Sequence, residues 1–364
     1  MEEEKKPQDR PQEEHKEQSQ AQNGTGESQA TDSETSPSSI DRYRQEHDGE
    51  VMLIAESMSK IKHEVGKVVI GHDSLTEMLM VALFSGGNVL LEGVPGIAKT
   101  LSARMLAQSI STEFTRIQFT PDLMPTDILG TTIFNMKNNE FEFKPGPIFS
   151  NIVLIDEINR APAKTQAALM EVMEEKQVTV EGEAHQMGFP FFIIATQNPV
   201  EQEGTYKLPE AQMDRFLFRL QMDYPNFEDE KSILNRFKND FDSKVESSVD
   251  PVISADEIRK CIAVVEGISI NEGLVDYIAK IVIATRNNGD LYLGASPRAS
   301  LAILKASKAL AVIRGRSFVI PDDVKDVTFP VLNHRIILSH EREMEGVELS
   351  DVINGIIKGI EIPR

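Results

Sequence analysis

Apolar residues early in the chain recur at two different periods. From Val51 to Val69 they follow helical spacing (Leu53, Ile54, Met58, Ile61, Val65), which predicts one amphipathic helix, and Ser74 to Phe84 predicts a second. Five short apolar runs follow, at Asn88–Glu92, Phe114–Phe119, Ile152–Ile155, Phe191–Ile194 and Phe216–Met222. Each is bounded by Gly, Pro or polar residues, as buried strands of a parallel sheet are. Their alternation with helical stretches predicts an α/β layer structure with helices on both faces.

Two segments stand outside that plan. Thr131 to Lys144 alternates around Asn138-Asn139, the pattern of a projecting hairpin or a short helix–strand excursion. Gln177 to Gln186 alternates around Gly182 and predicts a second hairpin. After Tyr224-Pro225 only helical patterns remain, at 228–239, 255–266, 272–286, 297–314, 322–333 and 349–359, with Ser254 and Pro297 as helix starts. The predicted organisation is a tail over residues 1–50, an α/β core over 51–225 and a helical domain over 226–364, with no internal repeat.

Composition changes the picture at the N-terminus. Met1 to Glu50 carries 14 acidic and 6 basic residues and almost no large apolar side chain, so it cannot bury enough surface to offset its ordering entropy and is expected to be disordered. The remaining net charge is −12 of the total −20, which argues against DNA or RNA as main partner, because phosphate backbones are held by clustered Lys and Arg. A basic lining inside a ring stays compatible with that balance. The single cysteine, Cys261, excludes an internal disulfide and argues against a Cys-based metal site. No apolar run approaches the roughly 18 residues of a transmembrane helix. The charged N-terminus lacks a signal-peptide core, and a cytoplasmic location is expected.

Candidate chemistry centres on Gly93, Val94, Pro95, Gly96, Ile97, Ala98, Lys99 and Thr100, which follow the first predicted strand and lead into a helical pattern from Leu101. A tight loop at a helix N-terminus aims backbone N–H groups at phosphate oxygens, and the helix dipole favours the anion. Lys99 would reach the β- and γ-phosphates and Thr100 would ligate Mg²⁺. Ala98 stands where glycine is usual, and the added methyl is expected to be tolerated. A second piece is the strand Ile152–Ile155 running into Asp156 and Glu157. Asp156 would hold the Mg²⁺ hydration shell and Glu157 would polarise the attacking water. Together the two motifs predict ATP binding.

Three further residues are candidates. Asn198 follows the next strand, where parallel-sheet sites gather ligands, and would orient the water; the alternative is a capping Asn in a turn. Arg215, before the last strand, could reach a neighbouring subunit's γ-phosphate; the alternative is a surface ion pair with Asp214. Arg298 opens a helix in the second domain and could fold onto the bound nucleotide; the alternative is a solvated first-turn arginine.

The stretches Gly93–Thr100, Asp156–Ala161, Ala195–Pro199, Leu208–Phe216 and Gly294–Arg298 closely resemble the MoxR group of AAA+ ATPases over about Val51 to the C-terminus. Ala before the Lys is frequent in that group. The resemblance implies a P-loop AAA+ core with strand order 5-1-4-3-2 and an all-helical lid. It makes Lys99 and Thr100 Walker A, Asp156 and Glu157 Walker B, Asn198 sensor 1, Arg215 the arginine finger and Arg298 sensor 2. Val69, Ile70 and Gly71 would pack on the adenine, and the two excursions would face the central pore of a ring. His72 and His185 have no catalytic counterpart and read as surface or turn residues. The resemblance further implies a hexamer, a von Willebrand A domain partner and a chaperone role in maturing or assembling a protein complex.

Competing readings are a metal-chelatase ATPase subunit and a nucleic-acid motor, the second opposed by the acidic charge and by the lack of a helix-turn-helix or zinc module. A sigma-type transcriptional activator needs a Gly-Ala-Phe-Thr-Gly-Ala loop, which is absent between Thr120 and Phe149. A non-hydrolysing switch would have lost its catalytic carboxylate, whereas Glu157 is present.

Overall fold

A long helix enters the fold first. In the computed structural model, which describes residues 39–199, 204–238 and 249–363, α1 covers Ser39–Gly66 and α2 Asp73–Phe84. Residues 1–38 of the expected acidic tail lie outside the described set. Helix α1 starts well before the predicted Val51, since a helix anchored by a packed face extends through polar residues at little cost per residue. Its buried stripe is Val51, Ile54, Met58, Ile61 and Val65, whereas Leu53, assigned to the stripe from the sequence, is exposed.

The chain continues through β1 (Asn88–Glu92), α3 (Lys99–Ser109), β2 (Phe114–Gln118), α4 (Pro125–Leu129), β3 (Gly130–Asn135), β4 (Glu140–Pro145) and β5 (Ile152–Asp156). After a 3-10 turn at Ile158–Arg160 come α5 (Ala163–Glu175), β6 (Gln177–Val180), β7 (Glu183–Gln186), β8 (Phe192–Gln197), α6 (Glu210–Met213) and β9 (Phe216–Gln221). Strands β2, β5, β8, β1 and β9, in that spatial order, form one parallel sheet. Numbered along the chain and read from the β9 edge, the order is 5-1-4-3-2, as the resemblance implied.

Successive strand residues point to opposite faces, and both faces are covered. Val89, Leu91, Leu154, Ile194 and Phe218 join α1, α2, α3 and the C-terminal helices in one cluster. Leu90, Val153, Ile155, Ile193 and Phe216 join Ile128 of α4 and Leu169 and Met170 of α5 in the other. This two-sided burial explains why the strands read as continuous apolar runs.

Both excursions are antiparallel hairpins, β3–β4 and β6–β7. The second turns at Glu181 (φ 53°) and Gly182 (φ 88°), the pair of left-handed residues a tight hairpin turn demands. His185 of β7 stacks on Phe143 of β4, with ring centroids 4.1 Å apart, so it joins the two hairpins instead of being an ordinary surface residue.

The C-terminal part holds α7 (Phe227–Phe237), α8 (Ala255–Gly267), α9 (Glu272–Arg286), β10 (Leu291–Leu293), α10 (Pro297–Ile313), α11 (Pro321–Leu332), β11 (Ile337–Leu338), α12 (His340–Met344) and α13 (Leu349–Gly359). Ser254 closes a capping box with Glu257, and Pro297 occupies the first turn of α10, as the sequence predicted. The expectation of helices alone is corrected by the small antiparallel sheet β10–β11. Its strands are too short to carry a period. Helix α10 is central: Ala299, Ala302, Ala306 and Ala309 are buried, and their small side chains allow α1, α2, α8, α9 and α11 to pack around it.

Candidate functional site

Strand β1 delivers residues 93–98 to the N-terminus of α3 at the C-terminal edge of the sheet. Gly96 (φ 88°) and Ala98 (φ 64°) both take left-handed backbone angles. Such alternation curls a chain so that its N–H groups converge, and the α3 dipole adds partial positive charge to the same concavity. For Ala98 this conformation costs about 1–2 kcal/mol, so the methyl is accommodated with backbone strain. Lys99 Nζ donates to the Gly93 carbonyl at 2.6 Å and to the Gln197 carbonyl at 3.4 Å, which places the ammonium between the loop and the end of β8.

Asp156 ends β5. Its Oδ1 accepts from Thr196 Oγ1 at 2.5 Å and its Oδ2 from Arg116 at 2.6 and 3.1 Å, with Thr100 Oγ1 3.4 Å away. Burial pushes its carboxyl up, but the hydrogen bonds from Thr196 and Arg116 and the charges of Arg116 and Lys99 outweigh it and hold the group below the usual carboxylate range. Glu157 turns the chain with a left-handed φ of 57° (ψ 52°), a strained geometry of the kind that collects at functional sites. Its N–H donates to Thr196 Oγ1 at 3.0 Å. Its carboxylate accepts from Gln118 Nε2 at 2.5 Å and pairs with Arg160 at 3.2 Å.

Lys99, Thr100, Leu101, Asp156, Glu157 and Asn198 line one cavity of ≈ 370 Å³ with Pro95, Gly96 and Ala98. A neighbouring cavity of ≈ 510 Å³ shares Pro95, Gly96, Ala98 and Leu101 and adds Ile97, Val69, Ile70, Tyr224 and Phe237. Its mostly apolar walls suit a flat ring, while the first cavity sets the Lys99 ammonium against the carboxylates of Asp156 and Glu157. Val94 packs against the core cluster, and Gly71 faces a third cleft beside Asp229. His72, half-buried at the second cavity, has its imidazole pushed down by burial against the opposing charge of Asp229.

Arg215 and Arg298 line neither of the two cavities. The structure brings them to each other through Glu174 at the end of α5. Arg215 pairs with Glu174 Oε2 and donates to the Met170 carbonyl at 2.9 Å, while Arg298 Nη2 donates to Glu174 Oε1 at 2.8 Å. Asp214 pairs more closely with Arg335, at 2.7 Å, than with Arg298, at 3.7 Å.

Five polar residues around these groups carry no role that the sequence alone suggests: Arg116, Gln118, Thr196, Glu174 and Arg335. The signal for two of them was present, since Arg116 and Gln118 alternate along β2, and the register sets Gln118 beside Asp156. Reading it required the strand order. Thr100 and Asp156 fit Mg²⁺ as hard oxygen donors that leave most coordination positions to water and phosphate. Among the described residues no group of three or more His, Cys, Asp or Glu could hold a metal by itself, and no helix is long and apolar enough to cross a membrane.

Known proteins carry the same layout. A family model described as ATPase family associated with various cellular activities (AAA) matches residues 88–218, and one for the AAA lid domain matches 283–356. Chaperone MoxR1 of Mycobacterium tuberculosis is 42% identical over 310 residues, covering 83% of this chain and 81% of that protein. Protein MoxR of Methylorubrum extorquens is 27% identical over 341 residues, covering 86% and 98%. A crystal structure from Cytophaga hutchinsonii, assigned as an ATPase, is 40% identical and superposes with a TM-score of 0.81, covering 88% of this chain and 99% of that one. With a parallel 5-1-4-3-2 sheet, a loop-and-acid pocket at its edge and a helical lid, the chain belongs to the MoxR family of AAA+ ATPases.

Proposed function

We propose that this chain binds Mg·ATP in the two adjoining cavities and hydrolyses it between subunits of a six-membered ring, driving a chaperone cycle on a protein client. One observation carries the reading: Lys99, Thr100, Asp156 and Glu157 surround a single cavity, whereas Arg215 and Arg298 are held together outside it on Glu174. A site split in this way is complete only when a second copy brings its arginines.

The division of labour follows from the chemistry of each group. The N–H groups of residues 96–98 and the ammonium of Lys99 hold the β- and γ-phosphates. Val69 and Ile70 pack on the purine, Gly71 turns the chain beside them, and Leu101 closes the floor between the cavities. Thr100 and Asp156 would hold Mg²⁺, which would supply positive charge against the phosphate oxygens. Glu157 accepts the proton of the attacking water, held in place by Gln118 and Arg160, and Asn198 orients the same water. Arg215 stabilises charge on the transferred phosphoryl group of the neighbouring site, and Arg298 follows it because both share one carboxylate. Exposed Phe134, Met136 and Phe141 on the β3–β4 hairpin are the surface offered to an extended client. A von Willebrand A domain partner is proposed from the family resemblance.

Calorimetric Mg·ATP titration and steady-state turnover of Lys99→Ala, Glu157→Gln and Arg215→Ala test this reading. Lys99→Ala is expected to lose binding. Glu157→Gln and Arg215→Ala are expected to bind normally and to lose turnover by about 10³-fold or more. Wild-type turnover in either of the last two would overturn the assignment. Capture with Glu157→Gln in ATP, followed by mass spectrometry, would identify the client.

A further inference from the structure

One lid side chain contacts the Arg215 segment on both sides of that arginine. The side chain of Arg335, between α11 and β11, is 4% exposed and uses all five of its N–H donors. Nε donates to Asp214 Oδ1 at 2.7 Å, and Nη2 donates to the carbonyls of Asp214 at 3.1 Å and Phe216 at 2.6 Å. Nη1 donates to the carbonyls of Leu217 at 3.1 Å and Val331 at 2.5 Å. The guanidinium therefore grips the backbone on both sides of Arg215 while anchoring it to the end of α11. Asp214 extends the grip, because its Oδ2 accepts from Ser296 Oγ at 3.3 Å and faces Arg298 at 3.7 Å.

The residues beside Arg335 hold the same seam. Asn333 Nδ2 donates to the Arg219 carbonyl at 2.9 Å, and Arg219 donates back to the Asn333 carbonyl at 3.2 Å. Arg219 in turn pairs at 2.6 Å with Glu92, the last residue of β1 before the phosphate loop. Structural ion pairs in cores join two groups. Here one buried fork fixes four carbonyls and a carboxylate, three of the five acceptors flanking Arg215 directly and a fourth one residue beyond.

We infer that Arg335 is a positioning residue for the reaction: it sets the reach of Arg215 and Arg298 toward the neighbouring subunit's triphosphate and passes lid movement to both. The inference rests on the shared-site reading above. Loss of the fork leaves the chain's own cavity intact, since Arg335 lines neither nucleotide cavity. The defect should thus lie wholly on the half of the site given to the neighbour.

Mixing of inactive chains tests this. Arg335→Gln is expected to lower ATP turnover by about 10²-fold, the effect of misplacing a reacting group by about 1 Å, with ATP affinity unchanged. Mixed with Lys99→Ala, which keeps its own arginines, it should regain turnover well above the sum of the two alone, because its intact cavity then meets a properly held Arg215. Arg215→Ala mixed with Lys99→Ala is the reference. Recovery in the reference mixture without recovery for Arg335→Gln overturns the inference. Failure of both mixtures overturns the shared-site reading instead. Should Arg335→Gln not fold, Arg335→Lys keeps the charge against Asp214 without the planar fork; wild-type turnover in that variant equally overturns the inference.

Discussion

Ala98 occupies backbone geometry that glycine adopts freely, and the residue before Lys99 is where the phosphate loop passes into α3. Ala98→Gly exchanges strain of about 1–2 kcal/mol for extra unfolded-state freedom of about 0.4–1 kcal/mol. The variant is expected to gain up to about 1 kcal/mol of stability by denaturant titration, and a clear loss would mean that packing of the methyl outweighs the strained loop angle. Gln118 offers a second test, because its amide holds the Glu157 carboxylate in a strained segment. Gln118→Leu should reduce turnover by about 10-fold to 10²-fold at unchanged ATP affinity; a rise in the Kd for ATP with normal turnover would contradict its role. The loop and the two acids were legible in the sequence because their chemistry lies in contiguous residues. Glu174 was not, since it meets Arg215 and Arg298 from a different element and nothing in its own neighbourhood marks it.

Among elements, the apolar runs foretold the sheet strands to within a few residues, because burial on both faces leaves no room for polar alternation. The small β10–β11 sheet left no such trace, because its strands of 3 and 2 residues are too short to show a period. Leu53 misled for a different reason: it sits at a helical period, yet the packed face of α1 is set by α2, α3, α8 and α10, and it falls outside that arc. The β3–β4 hairpin exposes Met136 and Phe141, with Phe134 and Phe141 in edge contact at 5.2 Å. These side chains add nothing to the core, which is why the tip is proposed above as the surface offered to a client. Replacing Met136 and Phe141 by Ser should leave basal ATP turnover unchanged and abolish its stimulation by an unfolded polypeptide. Equal stimulation in the variant and the parent would remove the tip from client contact.

For the molecule as a whole, the seam between lid and sheet contributes an acid-sensitive group. His334 is buried there, its ring nitrogens facing Asn333 Oδ1 at 3.1 Å and the Phe216 carbonyl at 3.0 Å. Burial, then the charge of Arg335, push its imidazole well below its usual value of 6.5, against the bond to Phe216, with Arg219 adding to the depression. The unfolded chain therefore takes up this proton before the folded one does, and stability present above about pH 6.5 is lost as pH falls below it. The melting temperature should drop between about pH 7.5 and pH 5.5, and less so in His334→Gln; identical slopes would show that other groups dominate.

Glu174 sets the charge that Arg215 and Arg298 would bring to the proposed assembly. One carboxylate offsets only one of the two positive charges of Arg215 and Arg298 in a single chain, so that edge of an otherwise acidic protein keeps a net positive charge. On the ring reading proposed above, meeting a neighbour's triphosphate would exchange a single carboxylate for a more highly charged anion. The two arginines would then leave their resident partner only where phosphate oxygens outcompete it.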